Sequence, residues 1–130
     1  MIGLDTNVLV RFLTHDDPGQ TATVAKFMGS LSSDSPGFIS LVVVVELVWV
    51  LEASYQFKRD EIEHVLDTLL RSKELMIERA EIVEQALRKF SAGKADLAGC
   101  IIERSGHAAE CEYTLTFDRK AAAAGMRLLQ

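Results

Sequence analysis

The chain has 130 residues, of which 48% are hydrophobic and 25% charged, a composition typical of one soluble globular domain spanning 1–130. Its longest apolar stretch is interrupted by Glu46 and is too short to cross a bilayer, which takes about 20 residues. The net charge of −5 argues against an overall basic surface, although phosphate binding depends on where cations lie rather than on their sum. With no signal peptide and no disulfide framework, the chain is expected in the cytoplasm.

Hydrophobic periodicity predicts the elements of the first half of the chain. Residues 1–4 are predicted to form a short strand, and Asp5-Thr6-Asn7 begins a helix. Asp17 and Pro18 are expected to begin a second helix. Residues 38–39 are predicted to form a buried strand, with Ser40 as the cap of the next helix. The valines of 41–55 favour a strand, whereas the length of the segment and the need for a crossover favour a buried helix, which we expect.

The second half continues the same alternation of helices and strands. The sequence predicts helices over 62–70, 82–90 and 94–105, the last ended by Gly106, and strands over 75–77, 113–116 and 126–129. Short apolar strands that alternate with helices indicate an α/β fold. We expect three α/β/α layers around a mostly parallel sheet of four to five strands.

Two aspartates follow predicted strands that lie far apart in the sequence. Asp5 comes directly after the first strand and Asp118 directly after the fourth. Ligands of parallel α/β sheets bind beyond the carboxyl ends of the strands, so both acids are expected at one edge. The local alternatives are a helix cap for Asp5 and a turn aspartate for Asp118. Asp96, at the start of a predicted helix, is either a further site residue or a cap.

Glu46 stands alone in an otherwise apolar segment. Burial of an isolated, ionised carboxylate costs several kcal/mol or more. Glu46 must therefore be paired, protonated, exposed or bound to a metal. Because its helix follows the second strand, it is expected at the same edge of the sheet as Asp5.

A cluster of carboxylates suits a hard divalent cation. Mg²⁺ takes oxygen ligands, and two such ions can clamp a phosphate. The three histidines and two cysteines show no zinc-ligand spacing. Neither a glycine-rich phosphate loop nor a Ser or Cys nucleophile motif is present. The residues alone therefore point to a hard divalent cation such as Mg²⁺, bound by carboxylates.

Four segments, in order along the chain, resemble the motifs of the PIN-domain nucleases, and among them the VapC-type toxins. The segments are Asp5-Thr6-Asn7 after the first strand, the apolar helix around Glu46, Ala95-Asp96-Leu97-Ala98 followed by Cys100-Ile101-Ile102, and Thr116-Phe117-Asp118-Arg119. The resemblance implies a metal-dependent endoribonuclease that acts as the toxin of a toxin–antitoxin pair. It also implies a homodimer and a small antitoxin protein that occupies the acidic pocket.

The resemblance also implies a role for each residue of the site. Asp5, Asp96 and Asp118 would hold Mg²⁺ or Mn²⁺, and Glu46 would help to hold the metal or position the attacking water. Thr6 and Asn7 would brace the carboxylates that bind the metal. Four basic residues are candidate RNA contacts, with a solvated charged face as the alternative for each: Arg11, Lys94, Arg119 and Lys120.

One position departs from the family pattern and keeps a second function open. The third motif usually has an acid one helical turn after Asp96, and this chain has Gly99 there. The loss of a carboxylate favours the alternative of a weakened or inactive PIN-like binding protein. A phospho-acceptor receiver domain is a more distant alternative, because Phe38-Ile39-Ser40 supplies no acceptor aspartate. We expect Trp49 in the core or on a dimer surface.

Overall fold

The computed structural model describes residues 1–130, in which five strands and seven helices alternate. The strands are β1 (Ile2–Gly3), β2 (Gly37–Ile39), β3 (Leu75–Ile77), β4 (Leu115–Thr116) and β5 (Arg127–Leu128). The helices are α1 (Thr6–Thr14), α2 (Pro18–Met28), α3 (Leu41–Tyr55), α4 (Arg59–Arg71), α5 (Ala80–Ala92), α6 (Leu97–Ala108) and α7 (Arg119–Ala123). The predicted α/β class is confirmed. The chain forms two compact units, unit 1 (Met1–Glu78) and unit 2 (Arg79–Gln130).

All strand pairs are parallel, which agrees with the predicted mostly parallel sheet. In unit 1, β2 lies between β1 and β3, with Gly3 opposite Phe38 and Phe38 opposite Met76. In unit 2, β4 pairs with β5, and Leu115 lies opposite Arg127. The five strands are thus hydrogen-bonded as a group of three and a group of two. Each group brings the carboxyl ends of its strands to one edge. Asp5 follows the end of β1, and Asp118 follows the end of β4.

The starts of α1, α2 and α3 in unit 1 follow the capping residues that the sequence contains. Asp5 accepts a hydrogen bond from the N–H of Thr6, and Asp17 accepts one from Gln20 with Pro18 in the first turn. The Ser40 hydroxyl accepts from the N–H of Val43, so the predicted cap of α3 is confirmed. Such caps satisfy backbone donors that have no partner within the helix.

The core of unit 1 is built from apolar residues of α1, α3, α4 and the sheet. Fully buried side chains include those of Leu9, Ile39, Leu47, Ile62 and Leu66. The prediction of a helix over 41–55 is confirmed. The prediction that this helix is buried is wrong for one face, because Val42 and Trp49 are exposed to solvent. A helix that is apolar on all sides carries no periodicity that says which face lies inward.

Unit 2 packs α5 against α6 through apolar side chains on both helices. The predicted end of α6 at Gly106 is wrong, since the helix continues to Ala108. A Cβ atom at position 106 would lie 2.6 Å from the hydroxyl oxygen of Thr114. The glycine therefore serves a close approach between two segments, and not the helix end. None of the helices in either unit combines the length and the apolar character that a membrane crossing requires.

Candidate functional site

Asp5 lies where the sequence places it, just after β1 at the first residue before α1. Its Oδ1 atom accepts a hydrogen bond of 2.8 Å from the backbone N–H of Thr6, so the capping interpretation holds. The side chain is exposed, and its second carboxylate oxygen has no hydrogen-bond partner. A cap uses one oxygen, and the other oxygen remains available to a ligand. The two interpretations of Asp5 are compatible.

Thr6 links two of the predicted acids. Its side chain is only 4% exposed and is the one buried polar residue of the chain. The backbone N–H of Thr6 donates to Asp5, and its hydroxyl donates to Oε1 of Glu46. Because α1 follows β1 and α3 follows the adjacent β2, this link spans two neighbouring strand ends. Asp5 and Glu46 thus both contact the buried Thr6, one through its backbone N–H and the other through its hydroxyl, at one edge of the sheet.

Glu46 is exposed, which corrects the argument from burial cost. In the structure the carboxylate is exposed and accepts a hydrogen bond from the hydroxyl of Thr6. Two exposed apolar side chains flank it on the same helix, Val42 at 75% and Trp49 at 66% exposure. Residues three and four positions apart share a helix face, so Glu46 lies within an exposed apolar surface.

Asn7 is exposed two residues after Asp5 and contributes to a groove of unit 1. The groove has a volume of about 430 Å³ and lies between α1 and α2. Its lining also includes Val8, Arg11 and Gln20. Asn7 makes no hydrogen bond that braces Asp5 or Glu46, in contrast to Thr6.

Arg11, a predicted RNA contact, is occupied by a polar network within unit 1. Its guanidinium donates to Gln20 at 2.6 Å, to Asp16 at 3.1 Å and to the hydroxyl of Tyr55 at 3.3 Å. The Tyr55 hydroxyl donates to Asp16 at 2.5 Å and, together with Arg11, holds the pKa of Asp16 below its ordinary value. The network connects α1, the start of α2 and the end of α3. Sequence reasoning missed it, since residues 11 and 55 are 44 positions apart.

Asp96 caps α6, and its side chain points toward Gly99 in the first turn of the helix. Its Oδ1 atom accepts a hydrogen bond of 2.7 Å from the N–H of Gly99. A Cβ atom at position 99 would lie 2.7 Å from this same oxygen. Any side chain at position 99 therefore requires the Asp96 carboxylate to move. The Asp96 carboxylate thus occupies the space in which a side chain at position 99 would begin.

Asp118 caps the short helix α7 directly after β4. Its Oδ1 atom accepts a hydrogen bond of 2.9 Å from the N–H of Lys120, and its own N–H donates to Thr116. The side chain is exposed, and its second oxygen has no hydrogen-bond partner. Asp118, like Asp5, thus combines a capping role with a free carboxylate oxygen at a strand end.

Three of the four predicted RNA contacts come together in unit 2. Lys94, Arg119 and Lys120 line a groove of about 680 Å³ between the end of α5 and α7. A fourth cation, Lys89, also lines it, and its Nζ atom contacts Glu103 at 2.8 Å and the carbonyl oxygen of Ala124 at 2.7 Å. Sequence reasoning missed Lys89, because nothing in the local sequence marks its partners at positions 103 and 124. We name this feature the basic groove.

The donor atoms of the four acids fit a hard divalent cation, since all are carboxylate oxygens. Neither unit by itself gathers three or more His, Cys, Asp or Glu side chains as a metal site. Unit 1 contributes Asp5 and Glu46, and unit 2 contributes Asp96 and Asp118. The side chains that could hold a metal are therefore divided equally between the units.

Two comparisons with known proteins bear on this arrangement. The sequence model of the PIN domain family matches residues 2–125 of the chain. A VapC ribonuclease from Aquifex aeolicus (strain VF5) is 28% identical to it over 99 residues, which cover 75% of this chain and 73% of that protein. The family match includes every residue of the predicted site.

Proposed function

Because this chain belongs to the PIN domain family, we propose that it is a metal-dependent endoribonuclease and the toxin of a toxin–antitoxin pair. The observation that carries the proposal is the buried Thr6, which contacts Asp5 through its backbone and Glu46 through its hydroxyl. The similarity to a VapC ribonuclease supports RNA as the substrate. The site would cleave a phosphodiester bond of the RNA chain.

In this proposal Asp5, Asp96 and Asp118 hold Mg²⁺ or Mn²⁺. The bound ion would lower the pKa of a coordinated water and stabilise negative charge on the phosphate. Glu46 orients the attacking water and accepts its proton. The hydroxyl of Thr6 occupies only one oxygen of Glu46, so the other can accept a hydrogen bond from that water. Asn7, exposed beside Asp5, would contact a coordinated water or the substrate.

RNA cleavage by protein freed of any partner tests the proposal. With Mn²⁺ and total cellular RNA, the wild-type protein is expected to produce discrete fragments, and Glu46→Gln is expected to lose at least about 100-fold in rate, the usual contribution of a positioned general base. Glu63→Gln, an exposed glutamate of α4, is the matched control and should cleave normally. Glu46→Gln should remain folded, because residue 46 is exposed.

A second candidate function is a PIN-like binding protein that has lost catalysis. Gly99 favours it, because a carboxylate is missing where the family usually has one and Asp96 is turned into the helix cap. Absence of any cleavage by the partner-free protein in Mn²⁺, with RNA still bound, would establish this function and overturn the nuclease. Calorimetric titration with Mn²⁺ would then show whether the metal still binds.

The proposed partners are a second copy of the chain and a small antitoxin. The exposed apolar face of α3, with Val42 and Trp49, favours a homodimer, since burial of these side chains removes apolar area from water. Trp49→Asp is expected to convert a dimer to a monomer in light-scattering measurements, whereas an unchanged mass would exclude this face. The antitoxin would inhibit by placing cations against the acids. The proposal also includes action in the cytoplasm and folding of residues 1–130 as a single domain.

A further inference from the structure

The basic groove contains cations that no carboxylate neutralises. Lys94, Arg119 and Lys120 are exposed and form no ion pair. They contrast with Lys89, whose ammonium group is fixed by Glu103 and by the carbonyl oxygen of Ala124. The groove has no acidic residue in its lining, although the chain as a whole carries a net charge of −5. Its three free cations therefore present a local positive potential in an acidic protein.

Lys89 and Gly125 give the groove its shape. The Lys89 side chain runs from α5 to the segment after α7, where its ammonium group donates to Ala124. A Cβ atom at position 125 would lie 2.7 Å from that ammonium nitrogen, so only glycine leaves it room. The backbone of Gly125 also has a φ of 121°, which side-chain-bearing residues rarely adopt. An ion pair and a hydrogen bond thus fix Lys89, which lines the groove.

The remaining lining is small and apolar, formed by Ala92, Ala123, Ala124 and two glycines. A volume of about 680 Å³ exceeds what a single phosphate needs and suits a segment of a nucleotide chain. No aromatic side chain lines the groove, so it offers no platform for base stacking. Cations without stacking residues bind the backbone of a nucleic acid and do not discriminate its bases.

We propose that the basic groove binds the phosphodiester backbone of single-stranded RNA without sequence preference. This inference rests on the proposed nuclease function. The groove would bind the RNA substrate by electrostatic attraction, which the acidic site cannot provide. The positions of the groove cations in the sequence favour RNA over an acidic peptide as the ligand. Lys94 lies two residues before Asp96, and Arg119 directly follows Asp118. An RNA backbone bound by these cations would extend toward Asp96 and Asp118, the proposed metal ligands. The phosphodiester to be cleaved would lie there.

Salt-dependent binding of a defined RNA tests the groove separately from catalysis. The Glu46→Gln protein, without metal, would be titrated with fluorescein-labelled oligouridylate over a series of KCl concentrations. Added Lys94→Gln, Arg119→Gln or Lys120→Gln should each weaken binding by about threefold to fivefold, as expected for an exposed charge. Each should also reduce the slope of log K against log salt by about 0.7, the value for one phosphate contact on a single strand. Oligoadenylate should give the same changes.

Arg88→Gln is the matched control, because Arg88 is an exposed cation of α5 outside the groove. It should leave affinity and slope unchanged. If the groove variants bind RNA like Arg88→Gln, the inference is wrong, even when wild-type protein cleaves RNA and Glu46→Gln does not. If polyglutamate binding alone responds to these variants, the groove serves an acidic protein partner and the inference also fails. Arg119→Lys should retain the slope, which separates loss of charge from loss of fold.

Discussion

The two units of the protein carry opposite charge and hold their acids in different ways. Unit 1 has six Lys and Arg against twelve Asp and Glu, a net charge of −6, whereas unit 2 has eight against seven, a net charge of +1. In unit 1 a buried threonine links Asp5 to Glu46. In unit 2 Asp96 and Asp118 are helix caps, as Asp5 is, but no buried side chain links them, and cations lie close to both in the sequence.

The difference shows why total charge is a poor guide to nucleic-acid binding. The value of −5 for the whole chain is the sum of an acidic unit and a unit that gathers its free cations in one groove. Electrostatic attraction to a phosphate falls off within about 10 Å at moderate salt, so the local arrangement decides it. The charge that argues against an RNA-binding protein belongs mostly to unit 1. Three substitutions sharpen this comparison.

The largest expected effect concerns the ion pairs of unit 2. Arg104 and Lys89 lower the pKa of Glu103 to about 2 from an ordinary value of 4.5. A carboxylate with a lowered pKa stabilises the folded state above pH 4.5, and this stabilisation is lost as the pH falls toward 2. Glu103→Gln should therefore reduce the free energy of unfolding by up to about 3 kcal/mol at neutral pH. The difference in the free energy of unfolding between wild type and Glu103→Gln should disappear at acid pH.

Urea unfolding followed by Trp49 fluorescence measures this effect and also tests whether the units form one domain. Trp49 is the single tryptophan and lies in unit 1, whereas Glu103 lies in unit 2. A shifted Trp49 transition would mean that both units unfold together. An unshifted transition would show independent domains. Glu84→Gln on the exposed side of α5 is the control. If the difference in stability between wild type and Glu103→Gln does not vary with pH, the pKa of Glu103 is not lowered by its ion pairs.

Thr6 is the next test, and it concerns the acidic site of unit 1. Thr6→Val keeps the side-chain shape but removes the hydroxyl that donates to Glu46. The rate of RNA cleavage should fall by about 10-fold to 100-fold, as for other groups that orient active-site residues. The free energy of unfolding should fall by only about 1 kcal/mol, because Glu46 is exposed and can bind water instead.

Thr6→Ser is the matched control, since it retains the hydroxyl and loses only a methyl group. Single-turnover cleavage rates and RNA affinities should be measured for both variants. A role in positioning predicts a lower rate with unchanged affinity for Thr6→Val and near-normal rates for Thr6→Ser. Equal losses in the two variants would instead indicate a packing role for Thr6.

The smallest effect is expected at position 99 of unit 2. Gly99→Asp would add a carboxylate but displace the Asp96 oxygen, which lies 2.7 Å from the new Cβ. Loss of this cap should cost about 1 kcal/mol of stability. The displaced Asp96 and the new acid should together raise the affinity for Mn²⁺ by up to about tenfold.

Gly99→Asn tests the steric part alone, because asparagine has nearly the same shape without the negative charge. Mn²⁺ titration calorimetry and thermal unfolding should be compared for the two variants. Equal destabilisation with tighter Mn²⁺ binding only in Gly99→Asp would support the proposed metal site. Unchanged Mn²⁺ affinity in both would show that position 99 does not face a metal.

Local sequence was sufficient to predict every element except the short helix α7, and to predict the starts of α1, α2 and α3. Asp17 with Pro18 and Ser40 act within a few residues, so their capping of α2 and α3 follows from sequence alone. Gly106 shows the limit of that reasoning. A glycine commonly ends a helix, but here it makes room for Thr114, a residue eight positions away that only the folded chain brings near.

The sequence by itself determined the α/β class, the family motifs and the position of Asp5 and Asp118 after strands, because strands, caps and motif spacing are local. Only the tertiary structure decided which face of α3 is exposed and that Glu46 bonds to Thr6. It also decided that Lys94, Arg119 and Lys120 share one groove. Burial and contact depend on residues far apart in the chain, and no local pattern records them.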